Sequence, residues 1–243
     1  MGGEAGGALA SGLAVETIVG AMRARWVQRT AEPAGSVALD ETRIALALVA
    51  SLEAASARIK QAARDEPIYA RMGTTATLAV IAHGALLCAQ IGDSRAYVLR
   101  GDHLVQVTED QTMAELLRKS GAVPPDQISA IVGHNVILQA LGSSTRLEVA
   151  LTRTPLAQGD VVLLCSDGLY GVVDDHEIAE VLRTSPDLGV ACDRLVARAN
   201  EQGGPDNISC AAFFVADQAL PAAGSRLETT VLAPAPTFGH RMR

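Results

Sequence analysis

The stretch that most constrains this chain is Gly159-Asp160-Val161-Val162-Leu163-Leu164-Cys165-Ser166-Asp167-Gly168-Leu169. Residues 161–165 are all apolar. They predict a strand buried on both faces, because a half-exposed strand would alternate with polar residues. The run stops at Ser-Asp-Gly, which delivers a carboxylate at the strand's mouth and lets the chain turn sharply behind it. An ionised carboxylate in that position is costly without a partner. Taken alone, Ser-Asp-Gly reads as a helix N-cap or a turn aspartate, and only the rest of the chain can make it more.

The length of 243 residues suits one well-buried domain. With 49% apolar and 19% charged residues the chain is globular, and with 3% aromatics its core must come from Ala, Val, Leu and Ile. A net charge of −7 argues against a nucleic-acid partner. It is compatible with carboxylates gathered around cations. Cys88, Cys165, Cys192 and Cys210 show no paired short spacing and read as small buried hydrophobes in a reducing compartment. Residues 72–91 carry no formal charge over a length that could span a bilayer. His83-Gly84 at their middle and the threonines at their start point instead to a hairpin. Met1 is followed by glycines and a glutamate, not by a secretory pattern, so a cytoplasmic location without membrane association is expected.

Apolar residues Leu9, Leu13, Ile18, Met22 and Trp26 predict a helix over 7–29, broken at Glu32-Pro33-Ala34-Gly35. Ile44, Leu48, Leu52, Ala55 and Ile59 predict a second over 40–64. Residues 74–82, 85–91, 95–100 and 103–108 read as consecutive strands, and the turns His83-Gly84 and Gly101-Asp102 require antiparallel pairing. A short helix over 111–120 is followed by an irregular stretch from Pro124 and an ambiguous segment at 136–141. Strands over 147–152, 161–165 and 208–216 enclose helices over 175–183 and 187–201. Helix pairs before and after antiparallel strands predict an α+β fold: a four-layer α/β/β/α sandwich of two antiparallel sheets. This domain is expected over 1–216. Residues 217–243, rich in proline and alanine, read as a flexible tail.

Three aspartates sit at strand termini beside glycine or proline: Asp93 in Ile-Gly-Asp-Ser-Arg, Asp167 in Ser-Asp-Gly, and Asp206 in Gly-Gly-Pro-Asp-Asn. Each alone is a turn residue. Together they offer the hard oxygen ligands a divalent cation takes, and a cation is what lets such carboxylates converge.

Met1-Gly2-Gly3-Glu4, Gly73-Thr74-Thr75, Ile91-Gly92-Asp93-Ser94-Arg95, Thr108-Glu109-Asp110, Ala140-Leu141-Gly142, Cys165-Ser166-Asp167-Gly168-Leu169 and Gly204-Pro205-Asp206-Asn207-Ile208 resemble, in order, the motifs of the PPM (type 2C) metal-dependent protein phosphatases, most closely the bacterial form. The resemblance covers residues 1 to about 216. It implies hydrolysis of phosphoserine and phosphothreonine on proteins by a metal-activated water, with no protein nucleophile. It also implies Mn²⁺ or Mg²⁺, two or three ions in a complete site, and phosphorylated protein substrates made by a serine/threonine kinase. Asp167 and Asp206 resemble ligands of the binuclear centre, and Asp93 resembles a ligand of an additional weaker ion shared with Asp167. Arg95 reads as a structural salt-bridge residue, the phosphate-binding group is not identified, and a monomer is expected. In the family an Asp-Gly directly precedes Met-Gly-Gly, and its aspartate bridges the two core metals. This sequence starts at the methionine, so the first strands of the sandwich are expected to be missing and metal binding to be weak. Two readings follow: a longer active gene product, or an impaired pseudophosphatase that serves as a protein-binding module.

Overall fold

The computed structural model describes residues 3–30, 40–133, 136–216, 220 and 227–232. Met1-Gly2, the predicted helix break at Glu32 to Gly35 and most of the predicted tail lie outside the described residues, as does the side chain of Trp26. The elements in chain order are α1 (Gly3–Thr30), α2 (Glu41–Asp65), a 3₁₀ turn (Pro67–Tyr69), β1 (Ala76–Ala82), β2 (Ala85–Ile91), β3 (Arg95–Arg100) and β4 (His103–Gln106). There follow α3 (Met113–Ser120), α4 (Pro125–Ile131), β5 (Ala150–Pro155), β6 (Val161–Cys165), α5 (Asp167–Tyr170), α6 (Asp175–Thr184), α7 (Leu188–Glu201), β7 (Cys210–Phe214) and β8 (Thr230–Leu232).

Two four-stranded antiparallel sheets form, in the orders β1-β2-β5-β8 and β4-β3-β6-β7. The uninterrupted apolar runs of β2, β3 and β6 follow from what covers their two faces. In β2, Leu87, Ala89 and Ile91 pack against α1 and α2, whereas Leu86 and Cys88 meet Ala96, Val98 and Val162 from the other sheet. In β3 and β6, Tyr97, Leu99, Val161 and Leu163 turn the opposite way, onto Ile178 and Leu182 of α6 and Leu195 of α7. A strand between a helix layer and a second sheet has no solvent face, so period-two alternation gives way to continuous hydrophobicity. The expected four-layer α/β/β/α sandwich is the observed one. The stripe Leu9, Leu13, Ile18 and Met22 lies on the helix-side core, with Ala10 and Ala14 buried between the helices.

Residues 72–91 form the predicted hairpin, closing through His83 (φ 50°) and Gly84 (φ 73°) with Ala82 opposite Ala85. Among the described residues, no helix is long and apolar enough to cross a membrane. All four cysteines are free thiols, and burial pushes those of Cys88 and Cys165 up to about 12, as expected of packed, unreactive groups.

Several boundaries differ from expectation. The strand expected over 147–152 runs instead from Ala150 to Pro155, taking in the charged Arg153. Arg153 is tolerated there because its guanidinium donates to both carboxylate oxygens of Glu41, at the start of α2, at 2.6 and 2.9 Å. Residues 136–141 form no strand and contribute isolated bridges, Ile137 to Thr112 and Leu141 to Thr74. The expectation of a flexible tail from 217 is corrected within its described part. Thr230–Leu232 pairs with β5, placing Leu232 opposite Leu151 and Val231 opposite Thr152. A three-residue edge strand has too little pattern of its own to be read locally, and β5 supplies the hydrogen-bonding partner.

Candidate metal centre

Asp167 stands at the first turn of the four-residue helix α5, immediately after β6. The segment carrying Asp206 is laced to the same point. Ser166 N–H donates to the Ser209 carbonyl (3.0 Å), Ser209 N–H donates to Ser166 Oγ (3.0 Å), and Ser166 Oγ donates to the Asn207 carbonyl (3.1 Å). Gly168 makes this close approach possible. A Cβ placed on it would lie 2.4 Å from the Asn207 carbonyl oxygen and 2.9 Å from its carbon. Real side chains essentially never sit that close, and both atoms are backbone, so the two segments would have to separate. Gly168→Ala is therefore expected to lower divalent-cation affinity and hydrolytic activity together, by more than about tenfold. Mn²⁺ titration and a phosphopeptide assay on the variant check this.

Asp93 is presented by a different device. Gly92 adopts φ 97°, and an added Cβ would collide with Thr75 Cγ2 at 2.4 Å, so only glycine fits. The turn is then gripped from several directions. Gln111 accepts from Gly92 N–H at 2.7 Å and donates its own N–H to the Gly92 carbonyl at 3.0 Å. The buried Gln90 side chain donates to the carbonyls of Gly92 and Ser94, and Thr77 Oγ1 donates to Ser94 at 2.6 Å. Tyr170 Oη donates to the Asp93 carbonyl at 3.0 Å.

The electrostatics tie the three carboxylates together. Burial pushes the Asp93 carboxyl up to about 6, helped by the neighbouring charges of Asp167 and Asp110. Asp167 is also raised, first by burial and then by the Asp206 carboxylate, against an opposing backbone hydrogen bond from Gly168. Mutual repulsion of this kind is what a bound cation relieves.

Asp167 and Asp206 line one cleft of about 610 Å³, with Arg95, Asp110, Thr112, Glu115, Tyr170 and Pro205 among its other walls. Asp93, only 5% exposed, is not part of that lining. Among the described residues, no three His, Cys, Asp or Glu side chains converge closely enough to hold an ion by themselves. The donor set nonetheless fits a hard cation such as Mg²⁺, which keeps several waters and needs only one or two carboxylates. Asp167 and Asp206 supply two.

Arg95 is a structural cation, as its sequence context suggested. Its guanidinium donates to Asp110 through Nε (3.0 Å) and Nη2 (2.7 Å), and to Tyr97 Oη through Nη1 (2.8 Å), while stacking 3.6 Å over the centroid of Tyr170. Sequence reasoning did not single out Tyr170 or Gly168. Gly168 was visible only as the residue that lets the chain turn, and the partner of Tyr170 lies 77 positions away.

The sequence profile of the Protein phosphatase 2C family matches residues 1–211. The chain is 32% identical to the serine/threonine phosphatase stp of Listeria innocua over 209 residues, covering 86% of this chain and 79% of that protein. It superposes on the crystal structure of the Mycobacterium tuberculosis serine/threonine phosphatase PstP with a TM-score of 0.75 at 30% identity, over 89% of this chain and 86% of that one. The catalytic domain of PstP in complex with two manganese ions gives a TM-score of 0.69 at 33% identity, over 89% and 85%. The chain belongs to the protein phosphatase 2C family of metal-dependent serine/threonine phosphatases. Nothing in these likenesses favours the pseudophosphatase alternative.

Proposed function

We propose that Asp167 and Asp206, with Asp93 beside Asp167, hold Mn²⁺ or Mg²⁺ at the cleft, where phosphoserine and phosphothreonine side chains of proteins are hydrolysed. The observation that carries this is the convergence of two carboxylate-bearing segments on one open cleft, an approach that only a glycine at 168 permits. Bound cations would supply the charge that lowers the pKa of a coordinated water and neutralises the phosphoryl oxygens.

The chain's own residues supply position. Asp167 and Asp206 line the cleft from segments stitched together by the hydroxyl and backbone N–H of Ser166, and those hydrogen bonds set how far apart the segments lie. The Arg95–Asp110 pair forms a charge-compensated wall, leaving the acidic side of the cleft for cations. The cleft, lined also by Thr112, Ala114 and Glu115 at the start of α3, suits a phosphorylated side chain carried on a protein surface. By this reading the protein reverses the action of a serine/threonine kinase, as a monomer in the cytoplasm, with either Mn²⁺ or Mg²⁺.

Hydrolysis of a phosphothreonine peptide, followed as phosphate release with Mn²⁺ or Mg²⁺ added back to chelator-treated protein, tests the reading. Metal-dependent release is expected. A folded protein that releases no phosphate at any metal concentration contradicts it.

A further inference from the structure

The turn bearing Asp93 joins β2 of one sheet to β3 of the other, and β3 pairs with β6, placing Arg95 opposite Cys165, two residues before Asp167. The hydrogen bonds from Gln90 and Thr77 anchor the Asp93 turn to β2 and β1, and those with Gln111 anchor it to the segment before α3. Tyr170 makes a different connection. It lies one helical turn after Asp167, in α5, and its Oη reaches the backbone carbonyl of Asp93 itself. Its ring cannot swing freely, because the Arg95 guanidinium covers it at 3.6 Å and is itself held by Asp110 and Tyr97. The phenol is thus a strut of fixed length between the two carboxylate-bearing backbones.

We propose that Tyr170 is a positioning residue that fixes the separation at which Asp93 and Asp167 share a divalent cation. The proposal rests on the reading of both aspartates as ligands. Tyr170 touches neither cation nor phosphate in this role; it acts through the Asp93 carbonyl. A hydrogen bond that orients a metal ligand is worth about 10–100-fold in metal affinity. Loss of this one is expected to weaken the shared site and leave the fold standing.

The test uses the full chain as wild type, Tyr170→Phe and Asp93→Asn, with Mn²⁺ alone as the probe. Mn²⁺ affinity is read from the free-ion electron paramagnetic resonance signal, and metal-free stability from thermal melting. Tyr170→Phe keeps the ring beneath Arg95 and removes only the donor. It is expected to melt within a few degrees of wild type without metal, while its affinity for the weaker Mn²⁺ falls about tenfold, in the same direction as Asp93→Asn. If Asp93→Asn loses affinity but Tyr170→Phe binds as wild type does, the strut has no positioning role and the proposal is overturned, with the ligand reading intact. If Asp93→Asn also binds as wild type does, Asp93 is not a ligand and both fall.

Discussion

Asp167→Asn is expected to reduce metal-dependent phosphopeptide hydrolysis by more than about 100-fold, since even an outer partner of a metal ligand is worth about 10–100-fold. The substitution keeps size and shape and removes the charge. In the wild-type protein burial raises the Asp93 and Asp167 carboxyls, and the neighbouring charges of Asp167 and Asp206 respectively raise them further. Removing the Asp167 charge lessens repulsion among the remaining acids, so the variant should fold at least as well as wild type. Lost turnover together with retained or improved thermal stability is a combination that a purely structural aspartate would not produce. Initial rates across a Mn²⁺ series, beside melting curves, check it.

The second large effect concerns stability. Asp160, fully buried just before β6, accepts from Arg100 Nε (2.9 Å), Arg100 Nη2 (2.7 Å) and the Ala157 N–H (2.8 Å). The Arg100 side chain is 9% exposed and also donates to the Pro155 carbonyl. The pair joins β3 to the β5–β6 connection and so couples the two sheets. Asp160→Ala leaves the guanidinium without its carboxylate and the Ala157 amide without its acceptor. The expected cost is about 3–5 kcal/mol of unfolding free energy, the range for breaking a buried pair from one side. Urea denaturation should show it as a lower midpoint. Replacing both members with apolar residues should recover part of the loss, because a buried ion pair spends much of its attraction on desolvation.

These two aspartates also show what the sequence made legible. Asp160 and Asp167 flank the same strand, and β6 was readable to its exact ends because five apolar residues lie between Gly-Asp and Ser-Asp-Gly. The strands β2 and β3 were equally clear, each bounded by glycine turns. What failed were features whose cause lies far along the chain. Arg153 looks like a strand terminator until Glu41 arrives from α2, 112 positions away. Thr230–Leu232 looks like tail until β5 offers an edge.

The proposed metal site divides in the same way. Asp93, Asp167 and Asp206 stood out as candidate ligands because each sits in a glycine- or proline-marked turn at a strand end, and the motifs follow one another in a known order. Their unequal placement did not. The structure puts Asp167 and Asp206 in the cleft and buries Asp93 next to Asp167, a distinction set by Gly92, Gln111 and Tyr170 packing around the turn. Hydrogen bonds to backbone carbonyls leave no periodic trace in a sequence, so Tyr170 could pass there for one more apolar residue.

The most direct test of the central claim is calorimetric titration of chelator-treated wild-type protein with Mn²⁺, repeated on Asp167→Asn and Asp206→Asn. The account predicts saturable Mn²⁺ binding by the wild type and a clear loss of affinity in each variant, larger for Asp167, which borders both of the other carboxylates. Identical isotherms for wild type and both variants would contradict it, because the cleft's carboxylates would then not be what holds the metal.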